Sequence, residues 1–72
     1  MSDNVKYASI RTREKDGQER AYHVGPSVKS IERVPGELVF TVTYVDGTAE
    51  RHPSTEIVNF EYTPEEKLRY GL

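Results

Sequence analysis

The sequence predicts a mainly β fold: a small antiparallel barrel of about five strands followed by a short C-terminal helix. Three observations carry that reading. Asp16-Gly17 and Asp46-Gly47 each stand between strand-like segments. Asp-Gly in that setting is a strong hairpin signal, because glycine takes up the positive φ of the turn. Residues 37–45 alternate, with Leu38, Phe40, Val42 and Tyr44 on one face and Val39, Thr41, Thr43 and Val45 on the other. That β-branched and aromatic composition suits a pleated, half-buried surface, and the segment is expected to be the central strand. Last, Thr63-Pro64-Glu65-Glu66 carries a cap, a proline suited to the first helical position and a glutamate three residues after the cap.

The register of the first hairpin follows from charge. A two-residue turn at Asp16-Gly17 sets Glu14 opposite Glu19 and Arg13 opposite Arg20, and like charges directly opposed are destabilising. A three-residue loop of Lys15, Asp16 and Gly17 instead pairs Arg13 with Glu19, Ile10 with Tyr22 and Ala8 with Val24. This register places Ala8, Ile10, Tyr22 and Val24 on the core face. Tyr7, Ser9, Arg11, Arg13, Ala21 and His23 then share the other face.

Gly25-Pro26 ends the second strand. The third, Val28 to Val34, has apolar residues at 28, 31 and 34, a spacing that a β-bulge reconciles with a strand. Pro35-Gly36 is a turn. After the second Asp-Gly comes a short strand, Thr48 to His52, stopped by Pro53. One helical turn at 54–56 and a last strand, Ile57 to Tyr62, follow, with Val58, Phe60 and Tyr62 inward. The helix runs from Pro64 to Tyr70, with Gly71 as its stop. As edges, the first strand is defended by its cations and the fifth by Pro53.

This order of strands, hairpins and one helical turn resembles small SH3-like or Tudor-like barrels over residues 5–62. The likeness is one of fold pattern, without a family motif, and such barrels carry many unrelated functions. The 72 residues make one domain: residues 1–4 a flexible N-terminus, 5–62 the barrel, 63–72 the helix and tail. Val, Ile, Leu and Phe make up about a fifth of the chain, close to the ~20% below which disorder is the better expectation. The core is therefore thin, and pairing into a homodimer is one way to add burial.

No cysteine is present, which fits a cytoplasmic location and excludes a disulfide scaffold. The chain opens on polar residues, Ser2-Asp3-Asn4, unlike a signal peptide. No apolar run approaches the ~20 residues of a membrane span. Residues 1–36 carry seven Lys/Arg against five Asp/Glu, a net +2, and residues 37–72 three against seven, a net −4. Neither half has the basic excess of a general nucleic-acid binder.

Candidate chemistry is sparse. His23 and His52 stand apart from other ligand types and read as solvated strand residues, so no metal or cofactor is expected. The serines lack a nucleophile elbow, and there is no glycine-rich phosphate loop. Enzymatic activity is not expected. Tyr7, Arg11 and Arg13 alternate on the non-core face, joined by His23, an aromatic-cationic pattern that can hold single-stranded nucleic acid. Tyrosines number five against two phenylalanines. Tyr22, Tyr44 and Tyr62 are expected to wall the core, leaving Tyr7 and Tyr70 for an interface. The expected binding residues are thus Tyr7, Arg11, Arg13, His23 and Tyr70.

The leading functional expectation is a non-catalytic protein-binding module. A chain this short with its own Met1 reads as a stand-alone adaptor or inhibitor, of the kind phages and mobile elements encode. The alternative is an RNA or single-stranded DNA binder using Tyr7, Arg11 and Arg13.

Overall fold

A computed structural model of the chain describes residues 4–71. The strands are β1 (Val5–Arg13), β2 (Glu19–His23), β3 (Val28–Arg33), β4 (Val39–Tyr44), β5 (Ala49–Pro53) and β6 (Ile57–Tyr62). A 3-10 turn, Ser54–Glu56, precedes β6, and the helix α1 (Pro64–Tyr70) follows it. All six strands join one antiparallel sheet that curls into a half-barrel. The mainly β fold and the C-terminal helix are as expected, with one strand more than five.

Both hairpins turn where Asp-Gly places them, and by the same construction. Gly17 N–H donates to Glu14 C=O and Gly47 N–H to Tyr44 C=O. Gly17 (φ 86°) and Gly47 (φ 93°) occupy the left-handed position, where a side chain costs ~1–2 kcal/mol. Asp16 Oδ1 accepts from Gln18 N–H and Asp46 Oδ1 from Thr48 N–H, both at 2.9 Å. The first register is the charge-matched one, with Arg13 opposite Glu19 and Ile10 opposite Tyr22.

The sheet runs β2-β1-β3-β4-β5, with β6 on the far side of β1. The strand with most partners is therefore β1 and not β4, although β4 does lie inside the sheet. Along one edge β1 pairs β3 through Val5 to Tyr7, then β2 through Ser9 to Arg13. Along the other it pairs β6. Its cations do not defend an edge, since both of its edges are taken. The end strands are β2, β5 and β6, and β5 does stop at Pro53.

Three register shifts decide which side chains reach the core. In β3 the partners step from Val28↔Tyr44 to Ser30↔Thr43, leaving Lys29 as the extra residue. This is the bulge that the 28/31 spacing required, and Val28 and Ile31 are both buried. In β1 the partners step from Tyr7↔Tyr62 to Ser9↔Glu61, with Ala8 extra. In β6 they step from Asn59 to Ile57 while β1 advances one residue, with Val58 extra. Each bulge reverses the alternation beyond it.

Two expectations fall for that reason. Tyr7, assigned to the outer face, is 1% exposed and sits in the core, whereas Ala8 is only half-buried. Val58, assigned inward, is 47% exposed, and Ile57 packs on the core in its place. Leu38 falls before β4 and Val24 after β2, so both are exposed. The core is Val5, Tyr7, Ile10, Tyr22, Val28, Ile31, Phe40 and Val42, flanked by Tyr44, Ile57 and Tyr62. Tyr22, Tyr44 and Tyr62 thus wall the core as expected.

The helix forms as its sequence dictates. Thr63 Oγ1 accepts the Glu66 N–H at 3.2 Å, and Gly71 ends the helix in the left-handed conformation. Of the N-terminal segment 1–4, only Asn4 lies within the described residues, where its amide donates to Glu32 Oε1 at 3.2 Å. Leu72, in the expected tail, lies outside them too.

Candidate functional site

Ile10 and Thr12 point into the core, so Ser9, Arg11 and Arg13 face outward from the middle of a three-stranded surface, β2-β1-β6. His23, Ser9 and Glu61 form one cross-strand row, and Ala21, Arg11 and Asn59 the next. Arg13 and Glu19 follow. Arg11, Arg13 and His23 therefore share a face, as the sequence implied, and all three are exposed. A groove of about 390 Å³ crosses the first two rows; the Phe60 side chain, opposite Ile10 in the register, lies on the other, core-facing side of the sheet.

The charges of this face are unequally matched. Arg13 donates to Glu19 Oε2 at 2.7 and 3.2 Å, and that hydrogen bond holds the Glu19 carboxyl below the usual carboxylate range. Lys67 reaches down from α1 to Glu61 Oε1 at 2.8 Å and lowers that carboxyl likewise. Among the described residues, Arg11 makes no hydrogen bond or close ion pair, but its charge also acts on Glu19 and helps to lower that carboxyl. Its flanking neighbours across the strands, Ala21 and Asn59, are small.

Tyr7 is absent from this face. Its ring lies 4.9 Å from Phe40, 5.2 Å from Phe60 and 5.4 Å from Tyr62, and its hydroxyl accepts from Arg33 Nε at 3.1 Å. The aromatic rings do converge, which no spacing in the sequence revealed. Tyr7 fills their centre, so they pack against one another and enclose no aromatic cage. Tyr70 extends the cluster edge-on to Tyr62 at 5.5 Å and stays half exposed. Burial, then its contact with Glu66, raises its hydroxyl pKa.

Phe60 is the residue that sequence reasoning placed but did not single out. It contacts the cluster yet remains 43% exposed, because among the described residues no further strand covers β6. Its backbone N–H is met by Asn59 Oδ1 at 2.7 Å. The adjacent apolar pair Ile57-Val58, which breaks alternation, was the available signal that β6 is irregular.

A second polar cluster lies where β2 and β5 meet without pairing. His52, read as solvated, is 6% exposed, with its ring 5.2 Å from that of Tyr22. Its Nε2 is 3.5 Å from Glu50 Oε2 and its Nδ1 3.7 Å from Glu56 Oε1. The carboxylates approach opposite ring nitrogens and do not converge on one point. Among the described residues, no group of three or more His, Asp or Glu side chains could hold a metal ion. Glu50 also accepts the Tyr44 hydroxyl, pushing its pKa up to about 12.

No protein family, curated protein or solved structure matches this chain. The functional reading therefore rests on the exposed β6 edge itself. Among the described residues no helix is long and apolar enough to cross a membrane.

Proposed function

We propose that this chain is a non-catalytic protein-binding module that docks its partner along the β6 edge of the sheet. The observation that carries this reading is Phe60: a large aromatic side chain at the rim of the core, half exposed because no described strand lies beyond β6. Aromatic and arginine side chains at the centre of a contact surface carry most of the energy of protein association. A module of this kind acts by occupying a surface of its partner, as an adaptor or an inhibitor does.

The nucleic-acid reading has less support. Single strands are held by bases stacked on exposed rings above a cationic track. Tyr7 is buried, Arg13 is taken up by Glu19, and the chain is −2 overall.

The test is affinity capture from extracts of the source cells with the wild-type domain and a Phe60→Ser variant, before and after nuclease treatment. A protein retained through nuclease treatment and lost with Phe60→Ser is expected. Retention of nucleic acid alone would reverse the ranking.

A further inference from the structure

We infer that the Asn59 side chain guards the β6 edge against pairing with the same edge of a second copy of this chain. The inference goes beyond partner docking and concerns how the docking edge is kept free. The direction of the edge hydrogen bonds follows from the β1–β2 register. Glu14 N–H donates to Gln18 C=O and Val24 N–H to Ala8 C=O. In an antiparallel ladder the residues that exchange bonds recur at every second pair, so Ile10 turns its backbone groups to Tyr22, its partner in β2. Phe60, opposite Ile10 on the other side, therefore turns its N–H and C=O away from β1, towards the open edge. Asn59 Oδ1 meets that N–H at 2.7 Å, where the carbonyl of an added strand would otherwise bind.

The β6 edge needs such a guard more than the other end strands do. Strand β2 carries Glu19 and Arg20, and β5 carries Glu50 and Arg51 and stops at Pro53. Charge and proline both discourage strand addition. Strand β6 holds no proline and one charge, Glu61, which Lys67 matches at 2.8 Å. It is also self-complementary. With a two-fold axis at Phe60, two copies of β6 place Phe60 opposite Phe60, Val58 opposite Tyr62 and Asn59 opposite Glu61, so no like charges are opposed. Val58 and Phe60 are both half exposed, and this pairing would cover them. In that register Phe60 exchanges both of its edge hydrogen bonds with the second copy, and each copy must first release Asn59.

The experiment is sedimentation equilibrium of wild type, Asn59→Leu, Asn59→Ala and Asn59→Asp, with thermal melts to show that each is folded. Leucine keeps the size of the side chain and loses the acceptor, whereas aspartate keeps an acceptor at the same position. Each ordinary hydrogen bond shifts an equilibrium about two- to tenfold, and the two-fold axis counts it twice. Asn59→Leu is therefore expected to dimerise about fivefold to a hundredfold more tightly than wild type, and Asn59→Asp no more tightly than wild type. Asn59→Ala, which lacks the acceptor without adding an apolar chain, should shift in the same direction as Asn59→Leu. Adding Phe60→Lys to Asn59→Leu sets two cations opposite each other at the axis and should return association to the wild-type level or below. An acceptor-free variant that associates no better than wild type would overturn the inference, as would Asn59→Asp dimerising as tightly as Asn59→Leu. A dimer that survives Phe60→Lys would place the contact away from the Phe60 axis and would overturn it too. Failure of the guard leaves the docking reading standing, because capture of a partner through Phe60 is measured separately.

Discussion

Tyr7 stacks on Tyr62 across the β1–β6 pair, their rings 5.4 Å apart and 19° from parallel, one residue before the Ala8 bulge. The bulge lets β1 leave β3 and take up β2 on the same edge, and so bends the sheet around Tyr7. Fold and site both depend on this bend. It turns the first ring of β1 into the core and leaves Arg11 and Arg13 outside.

Tyr7→Ala is accordingly expected to destabilise the domain by about 3–5 kcal/mol, the range for removing a buried aromatic. In so small a domain that approaches the whole folding free energy. Tyr7→Phe keeps the ring and loses only the bond from Arg33, so about 1–2 kcal/mol is expected. Urea denaturation of both variants checks this. A Tyr7→Ala domain as stable as its parent would contradict the buried placement.

The positions of the strands were legible in the sequence because turn chemistry is local. Asp16-Gly17, Asp46-Gly47, Pro53 and the Thr63 cap each act through their own backbone, and charge opposition alone distinguished the two registers of the first hairpin. The facing of side chains was less legible. At Tyr7-Ala8 and Ile57-Val58 a bulge exchanges inside for outside, and its cause is tertiary: β1 must serve three partner strands. The Lys29 bulge was readable because Val28 and Ile31, spaced three apart, cannot otherwise share a face. Arg11, Arg13 and His23 were placed together correctly, since they lie beyond the Ala8 bulge in an unbroken register. Phe60 was not singled out, because the lack of a strand outside β6 is a property of the whole sheet.

Gly17→Ala places a Cβ on a residue at φ 86°, although nothing lies within 4 Å of that position. The expected cost is therefore backbone strain alone, about 1–2 kcal/mol. Gly25, whose φ is not positive, is also open around its Cβ position. Gly25→Ala should be near neutral, and thermal melts of the two variants should separate clearly.

Tyr44 gives a pH signature. Its hydrogen bond to Glu50 raises its pKa from 10.0 to about 12, so the folded state holds this proton after the unfolded state has released it. The stabilisation is full below pH ~10 and is lost as pH rises towards 12. Absorbance titration should show Tyr44 among the tyrosines that ionise late, and Glu50→Ala should return it towards the ordinary range. Five tyrosines ionising together would contradict the contact.

Arg13→Ala should leave stability within about 1 kcal/mol of the parent, because its ion pair with Glu19 is exposed and screened. Arg11→Ala should likewise change stability little, because Arg11 is exposed and its charge acts on Glu19 only at longer range. Any larger effect of Arg11 on partner binding then reports recognition and not folding. Denaturation curves for both variants, measured beside partner affinity, separate the two roles.

The central claim, that a protein docks at the β6 edge where Phe60 is exposed, is tested most directly by photo-crosslinking in the source cells. A benzoylphenylalanine is placed at position 60, and in a second variant at position 39, which lines a separate groove together with Thr41 and Thr43. The expected result is a discrete protein adduct from position 60, absent from position 39. Adducts to nucleic acid, or the same adducts from both positions, would contradict the account.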